Sequence, residues 1–253
     1  MAITEGRQPE KLPWHVATVE SITVETYRVK TYRLRPPTWA SFRPGMHYDI
    51  RLTAPDGYQT QRSYSIATAP ETRSVLDLTI EKIVDGEVSP YFHDVVVIGD
   101  RVEMRGPIGG PFTWTGSMGG PLLLVAGGSG IVPLMSMLRH RDSTARHVQT
   151  FLLYSSRSLD DVIYREELDA LAEAGNGLQM AHTFTRSAPE GWDGYARRVD
   201  VEMLSDVFNR LGAIGRAYIC GPDGFVETAA NALVDAGVSP ERIRTERFGP
   251  TGT

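Results

Sequence analysis

Apolar and polar residues alternate in short runs over about the first 115 residues of the chain. Turn-forming stretches such as RPG, PDG, VDG and GPIGG separate these runs. Alternation with a period of two is typical of strands with one buried face, and tight turns between short strands favour antiparallel pairing. The pattern predicts an antiparallel β-barrel built from VATVESITV, TYRVKTYRLR, MHYDIRL, RSYSIAT, LDLTIEKIV and DRVEMRG.

One segment of this half breaks the alternation. In SPYFHDVV, Ser89 is followed by Pro90. A Ser hydroxyl caps the free N–H groups at a helix start, and Pro is tolerated at the first helical position. We therefore expect a short helix over residues 89–96, with Ser89 as its N-cap.

The pattern changes after residue 117, where continuous apolar runs alternate with segments of helical spacing. A continuous apolar run is typical of a strand buried on both faces, and strands that alternate with helices predict a doubly wound parallel sheet. We therefore expect a barrel domain over residues 1–117 and an α/β domain over residues 118–253. The predicted strands are LLLVAG, QTFLLYSS, LQMAHTFT and AYICG, and the predicted helices are VPLMSMLRHR, IYREELDALAEAG, VEMLSDVFNRLG and GFVETAANALVDAG.

A glycine-rich turn joins the first of these strands to its helix. Gly127, Gly128 and Gly130 flank Ser129, and Pro133 follows where the motif G-x-G-x-x-G would have its third glycine. Glycines let the backbone approach a ligand, and the N–H groups at a helix N-terminus attract anions. The turn is a candidate cradle for a pyrophosphate, although such turns also serve packing alone.

Composition narrows the classes of function. The only cysteine, Cys220, excludes an internal disulfide and an iron-sulfur cluster held by four cysteines of this chain. A net charge of −5 gives no general reason to bind nucleic acid or an anionic membrane.

The N-terminus lacks the charged-then-apolar order of a signal peptide, and no apolar run approaches membrane-spanning length, so we expect a cytoplasmic protein. The six histidines show no metal-binding spacing, and no G-x-S-x-G elbow occurs.

Five motifs along the chain carry a resemblance to a known family. In order and spacing they resemble the ferredoxin-NADP reductase superfamily, especially the reductase components of bacterial oxygenases and the reductase part of flavohaemoglobins. The resemblance implies an FAD-binding antiparallel barrel followed by a pyridine-nucleotide domain, with both cofactors meeting between them. The motifs are Arg62-Ser63-Tyr64-Ser65, Gly86-Glu87-Val88-Ser89, Gly106-Pro107-Ile108-Gly109, Gly127 to Pro133, and Cys220-Gly221-Pro222.

The resemblance also implies roles for residues of the barrel. Arg62 would pair with the FAD pyrophosphate, Tyr64 would lie against the flavin, and Ser65 would hydrogen-bond near flavin N5. Gly86, Val88 and Ser89 would offer polar groups to the pyrophosphate. The residue types suit these roles, because guanidinium binds phosphate bidentately and an aromatic face can cover the flavin ring. FAD is expected rather than FMN because these residues follow the FAD-using pattern.

The α/β half supplies the remaining implied site residues. Cys220, with Gly221 and Pro222, would lie near the nicotinamide C4. Glu246 would approach the reactive centre and Phe248 would shield the flavin. Catalytic roles are thus expected for Ser65, Cys220 and Glu246. Read without the motifs, Cys220 is a small buried hydrophobe and Phe248 a packed residue of a last strand.

Two arginines bear on the choice between NADPH and NADH. Arg157 follows the strand LLYSS, and the pair Thr185-Arg186 is similar to the Ser-Arg pair of relatives that bind a 2′-phosphate. Asp160 and Asp161 follow Arg157 and favour NADH, because a carboxylate accepts a hydrogen bond from a ribose 2′-hydroxyl. We expect NADPH, with NADH as the alternative.

The implied reaction is hydride transfer from the nicotinamide to FAD, with electrons passed to a separate acceptor. A ferredoxin that serves an oxygenase or cytochrome P450 is the expected acceptor, and Arg43, Arg51 and Arg62 are candidate docking residues. Two alternatives remain open. The chain could reduce free flavin, ferric chelates or quinone, or it could be a flavin-binding subunit active only within a larger complex. Sequence leaves the oligomeric state undetermined.

Overall fold

The computed structural model describes residues 12–248 and contains two β-sheets. The first sheet is antiparallel, with strand order β4-β3-β6-β1-β2-β5. A bridge between Ile66 and Leu78 joins its two edges, so the sheet curls into the expected barrel. Its strands are β1 His15–Thr26, β2 Val29–Arg35, β3 His47–Thr53, β4 Gln59–Ser65, β5 Leu76–Glu81 and β6 Arg101–Ile108.

Strand β5 departs from simple alternation, because five of its six residues are buried. One face fills the barrel with Leu76, Leu78 and Ile80. The other face carries Asp77 and Thr79, which contact side chains of the second half of the molecule. The sequence of β5 still alternates, but its polar face is covered too, so Asp77 and Thr79 are buried with polar partners.

A short helix, α1 (Val88–Asp94), covers the barrel through Phe92, which packs edge-on against Tyr32. The helix confirms the expected element, but its predicted cap is wrong. Glu87 occupies the N-cap position without a capping side-chain bond. Ser89 lies inside the first turn, and its hydroxyl instead accepts a hydrogen bond from the backbone N–H of Ile83 at 3.0 Å.

The second sheet is parallel throughout, with strand order β11-β10-β7-β8-β9. Two helices, α2 and α3, pack on its face toward the barrel, and α4 and α5 cover the opposite face. Gly249 and Pro250, which follow Phe248 in the sequence, lie outside the described residues. The strands are β7 Leu122–Gly127, β8 Thr150–Ser156, β9 Leu178–Phe184, β10 Arg216–Pro222 and β11 Ile243–Phe248, and the helices are α2 Ile131–Thr144, α3 Arg165–Glu173, α4 Val201–Leu211 and α5 Asp223–Asp235.

Polar side chains of α2 fasten the second sheet to the barrel. The Ser136 hydroxyl donates to the carbonyl of Thr68 at 2.6 Å, and Arg139 Nη1 donates to the carbonyl of Ala67 at 2.9 Å. The predicted division between residues 117 and 118 falls in a 3-10 turn, Gly116–Met118, between the two sheets. That division stays a prediction. Within residues 12–248, every helix falls short of the length and hydrophobicity needed to cross a bilayer.

Candidate functional site

A cleft of about 850 Å³ lies between the two sheets. Strand β4 and the segment leading into α1 form one wall. The carboxyl ends of β7 and β8 and the start of α5 form the other. Ligands of open α/β sheets bind at such carboxyl ends, and the volume lies within the roughly 300 to 1,000 Å³ usual for ligand sites. The predicted residues that line the cleft are Arg62, Tyr64, Ser65, Gly86, Val88, Ser89, Gly127, Gly128, Ser129, Arg157, Pro222 and Phe248.

The other predicted residues do not line the cleft. Pro133 is buried in the first turn of α2, and Arg186 is exposed beyond the lining. Cys220 is fully buried in the core between the sheet and α2. The roles expected for these three residues therefore remain predictions.

The glycine-rich turn brings two strands and a helix unusually close together. A Cβ on Gly130 would stand 2.0 Å from the carbonyl oxygen of Cys220, so only glycine lets the turn pass over β10. A Cβ on Gly127 would stand 2.8 Å from the ring of Phe225, and one on Gly221 would meet the same ring. Gly128 has a φ of +55° and faces open space.

The helix that follows this turn has no side-chain cap. A 3-10 turn, Gly128–Gly130, leads directly into α2, and neither has a side-chain cap. The N–H of Ile131 is bonded to backbone carbonyls of this turn, so the uncapped N–H groups are those of the turn itself. Uncapped N–H groups and the positive end of the helix dipole favour an anion. Ser129 and Gly128 line the cleft at this point, so the end of α2 suits a phosphate group.

Arg62 supplies a cation to the barrel wall of the cleft. One of its guanidinium nitrogens donates to the carbonyl of Gln61 at 2.7 Å. Among residues 12–248 the Arg62 guanidinium forms no ion pair. Its remaining donors are therefore available to a phosphate.

Two aromatic side chains border the same cleft from opposite domains. Tyr64 belongs to β4, and Phe248 belongs to β11. The Tyr64 ring lies 6.3 Å from that of Phe92, and burial raises the pKa of its hydroxyl well above the usual range. Tyr64 therefore stays neutral at physiological pH and offers an apolar, aromatic surface.

Ser65 and Glu246 meet at the border between the two sheets. The Ser65 hydroxyl donates to Glu246 Oε1 at 3.2 Å. Burial raises the pKa of Glu246 to about 7, against the opposing effect of the Ser65 bond. Glu246 pairs in register with Cys220 on the neighbouring strand. Burial, and then the charge of Glu246, raise the pKa of the Cys220 thiol.

Arg198 also lines the cleft and was missed by the sequence analysis. It belongs to the long connection between β9 and α4, and the pair Arg197-Arg198 was its only signal. Backbone bonds join the loops of Arg157 and Arg186, because the N–H of Arg186 donates to the carbonyl of Arg157 at 2.9 Å. Arg157 and Arg198 thus both line the cleft, and Arg186 is held next to the Arg157 loop.

A second missed feature is an ion pair across the cleft. Arg28, in the turn between β1 and β2, lies 3.2 Å from Asp161 in the loop after β8 and 3.7 Å from Glu81. All three residues line the cleft. Ser158 donates to the other oxygen of Asp161 at 2.6 Å, which fixes the loop that carries Arg157.

These features together fit two nucleotide cofactors. The uncapped start of α2 and Arg62 suit two separate diphosphates, and Tyr64 and Phe248 suit a planar ring. Arg157 and Arg198, which both line the cleft, suit a further phosphate. The class defined by this fold and cleft is an oxidoreductase that binds a flavin and a pyridine nucleotide. Comparison with family models agrees, since residues 16–113 match the oxidoreductase FAD-binding domain and residues 124–231 match the oxidoreductase NAD-binding domain.

The chain belongs to the ferredoxin-NADP reductase family. It is 31% identical over 212 residues to ferredoxin–NADP reductase B of Sorangium cellulosum, an alignment covering 82% of this chain and 85% of that protein. It is 30% identical over 215 residues to the glycine betaine monooxygenase reductase subunit of Pseudomonas aeruginosa, covering 83% of this chain. The chain spans 57% of the length of that subunit. It also spans 57% of the length of a second relative, the propane 2-monooxygenase reductase component of Rhodococcus jostii.

Solved structures show the same fold. A ferredoxin NADP+ reductase from Neisseria gonorrhoeae with bound FAD and NADP superposes with a TM-score of 0.78 at 22% identity, covering 92% of this chain and 98% of that one. The two sheets therefore form an FAD-binding and an NAD-binding domain.

Proposed function

We propose that this chain oxidises NADPH with FAD and passes the electrons to a separate acceptor. The observation that carries the proposal is the Ser65–Glu246 bond, which sets a protonatable carboxyl beside a cleft shared by the two domains. The names of its relatives, reductase components of two monooxygenases and a ferredoxin–NADP reductase, support the same reaction class.

The side chains of the cleft would divide the work of binding. Arg62 and the segment Gly86–Ser89 would hold the diphosphate of FAD, and the uncapped end of α2 would hold that of the pyridine nucleotide. Tyr64 and Phe248 would cover the flavin ring and exclude water from it. FAD, when bound, accepts a hydride from the nicotinamide and returns the electrons one or two at a time.

Ser65 and Glu246 would handle the proton. Ser65 lines the cleft, and its hydroxyl is bonded to Glu246. A carboxyl with a pKa of about 7 can both hold and release a proton near physiological pH. The Ser65 hydroxyl would connect that proton to the cleft. Cys220 would stay a neutral thiol under the nucleotide site, because its pKa is raised.

The arginines support NADPH as the preferred nucleotide. Arg157 and Arg198 line the cleft where the loops after β8 and β9 meet, and guanidinium groups stabilise a 2′-phosphate. Arg186 is tied to the Arg157 loop by its backbone and would act with them. NADH remains the alternative, since Asp161 lies in the same loop.

We propose an acidic ferredoxin as the acceptor. Strand β11 is an edge strand, and Arg242, Arg244 and Arg247 on or next to it form no ion pair within residues 12–248. Arg247 adjoins Glu246 in the sequence, and the three positive charges would attract an acidic partner. Arg43 is exposed and can contribute. Arg51 contributes less, because Glu103 binds it at 3.0 Å and the Trp14 ring covers it.

Anaerobic stopped-flow mixing of the FAD-loaded chain with NADPH and with NADH tests this proposal. Bleaching of the flavin band, faster with NADPH, is the expected result. A chain that takes up no FAD, or whose flavin neither nucleotide bleaches, would contradict it. Rapid turnover of free flavin, ferric chelates or quinone with no reduction of a ferredoxin would favour the second enzyme class. Part of the proposal is a cytoplasmic location, where NADPH is available to the enzyme.

A further inference from the structure

A continuous hydrogen-bonded chain of three hydroxyls and one carboxyl crosses the junction between the two domains. The hydroxyl of Tyr164 donates to Thr79 Oγ1. Thr79 Oγ1 and Thr31 Oγ1 are 2.8 Å apart, and Thr31 donates to Glu25 Oε1 at 2.6 Å. Thr31, Thr79 and Tyr164 are buried, so each hydroxyl depends on the others for partners.

The chain runs between two separate cavities. Thr79 lines the cofactor cleft. Glu25 and Tyr164 line a second crevice of about 540 Å³ between β1 and α3. The segment 160–164 is the wall between them, since Asp161 and Ile163 line the cleft whereas Asp160, Val162 and Tyr164 line the crevice. The Glu25 residue therefore lines one cavity, and Thr79 lines the other.

The direction of hydrogen bonding along the chain follows from counting protons. A threonine hydroxyl has one proton and two lone pairs. Thr31 gives its proton to ionised Glu25, so the proton between Thr31 and Thr79 must come from Thr79. Thr79 also accepts from Tyr164. With Glu25 ionised, Thr79 therefore has only an acceptor left for a ligand in the cleft.

Protonation of Glu25 reverses this direction. A neutral carboxyl can donate to Thr31, which then donates to Thr79 and frees the Thr79 proton for the cleft. Burial raises the pKa of Glu25, which brings this change toward the physiological range. Thr31, the Tyr164 backbone and Arg139 lower that pKa and Glu167 raises it. The other charged groups of the crevice are Asp160, Arg165 and Glu166.

We propose that Glu25 is a positioning residue that sets, through Thr31, whether Thr79 presents a donor or an acceptor to the FAD in the cleft. The inference rests on the proposed function, because it needs FAD beside Thr79. A hydrogen-bond donor stabilises the more electron-rich of two ligand states, so donation by Thr79 favours reduced FAD. Neutral Glu25 therefore raises the midpoint potential of the bound cofactor.

The test measures the midpoint potential of the FAD-loaded protein from pH 5 to 8.5 by dye-coupled reduction. Glu25→Gln cannot ionise and holds a donor toward Thr31, as neutral Glu25 does. We expect its potential at pH 8 to exceed that of the wild type by a threefold to tenfold change in the redox equilibrium constant, about 14 to 30 mV. The two potentials should approach each other as the pH falls and wild-type Glu25 becomes protonated.

Two further variants separate this role from a structural one. Thr31→Val breaks the chain and frees the Thr79 proton, so it should give the same raised, converging potential as Glu25→Gln. Glu166→Gln removes a carboxylate of the same crevice that lies outside the chain, and it should follow the wild type. Absorbance spectra and Kd values for FAD, measured on each protein, report the cleft independently of turnover.

Each outcome bears on one claim. A FAD-loaded Glu25→Gln protein that follows the wild-type potential within twofold in the equilibrium constant at every pH overturns the inference and leaves the proposed function standing. Equal shifts in Glu25→Gln and Glu166→Gln overturn it as well, because the effect would then be general electrostatics. A wild-type chain that takes up no FAD overturns the proposed function, and this inference with it.

Discussion

Ser65 and Glu246 stand 181 positions apart in the sequence and are joined by one hydrogen bond, from the Ser65 hydroxyl to Glu246 Oε1 at 3.2 Å. Ser65 ends the edge strand β4 of the barrel, and Glu246 lies on the edge strand β11 of the parallel sheet. The contact therefore depends on how the domains dock. Glu246 is half-buried at this contact, and burial raises its pKa to about 7.

The raised pKa of Glu246 makes stability depend on pH. Between pH 4.5 and 7 the unfolded chain ionises this carboxyl while the folded protein keeps it protonated, so the folded state binds more protons and stability falls as pH rises. Glu246→Gln removes this loss. We expect the free energy of unfolding of the variant to exceed that of the wild type by about 1 to 3 kcal/mol at pH 8 and to match it at pH 4.

Urea unfolding at several pH values measures this difference. Glu227→Gln, at an exposed position on α5, is the matched control and should follow the wild type at every pH. A variant as stable as the wild type at pH 8 would mean that Glu246 is ionised in the folded protein without cost.

Two glycines of the same turn should respond differently to alanine. Gly130→Ala places a Cβ 2.0 Å from the Cys220 carbonyl, and backbone must move to relieve the clash. We expect a loss of about 3 kcal/mol in the free energy of unfolding. Gly128→Ala meets open space and is strained only by its φ of +55°, so about 1 to 2 kcal/mol is expected. Similar losses in urea unfolding would contradict the close approach of the turn to β10.

The arginines around the cleft give a prediction for nucleotide choice. Arg157→Ala and Arg198→Ala each remove a charge-assisted contact to a 2′-phosphate, so each should weaken NADPH binding by about 1.5 to 3 kcal/mol and leave NADH binding unchanged. Arg186→Ala should cost less, because Arg186 does not line the cleft. Calorimetric titration of the FAD-loaded variants with both nucleotides measures these changes.

Equal losses of affinity for NADPH and NADH would show that these arginines stabilise the loop rather than bind the 2′-phosphate. Arg210→Ala, on the exposed side of α4, is a charge-matched control that should bind both nucleotides as the wild type does.

Local pattern was sufficient to predict most elements of the fold. The alternating runs became the strands of the barrel, and the apolar runs after residue 117 became parallel strands. The cap of α1 was wrong, because the Ser89 hydroxyl is taken by the backbone of Ile83, a partner set by a turn whose geometry the pattern does not specify. The sequence pattern also did not predict that both faces of β5 are covered, since residues distant in sequence cover its second face.

The candidate site was predictable where a motif is contiguous and not where it depends on docking. Arg62 and Gly128 line the cleft as their motifs suggested, and Arg157 lines it from the loop after a predicted strand. Arg198 and Arg28 lie in no motif, and only the fold brings them to the cleft. Cys220 shows that a motif alone can also mislead. Its motif indicates a site residue, but its side chain is fully buried and the turn at Gly130 passes over its backbone.

The Arg28–Asp161 pair should couple the two domains. Its members are partly shielded from solvent, with 29% and 15% of their side chains exposed. Screening at this exposure limits the pair to about 0.5 to 1 kcal/mol. A double-mutant cycle of Arg28→Ala and Asp161→Ala, read by urea unfolding, should give a coupling energy of that size. A coupling near zero would leave Arg28 bound to Glu81 alone, which lies 3.7 Å away.

Cys220 should be almost unreactive in the folded protein. Its side chain is fully buried, and burial together with the nearby Glu246 raises the pKa of the thiol, so both access and the thiolate fraction are reduced. A thiol-specific disulfide reagent should modify the folded chain at least roughly 100-fold more slowly than the chain in urea. Because Cys220 is the only cysteine, the signal has a single source. Rapid modification of the native protein would show that β10 opens to solvent at the edge of the nucleotide site, and the turn at Gly130 would then be a moving part rather than a fixed cover.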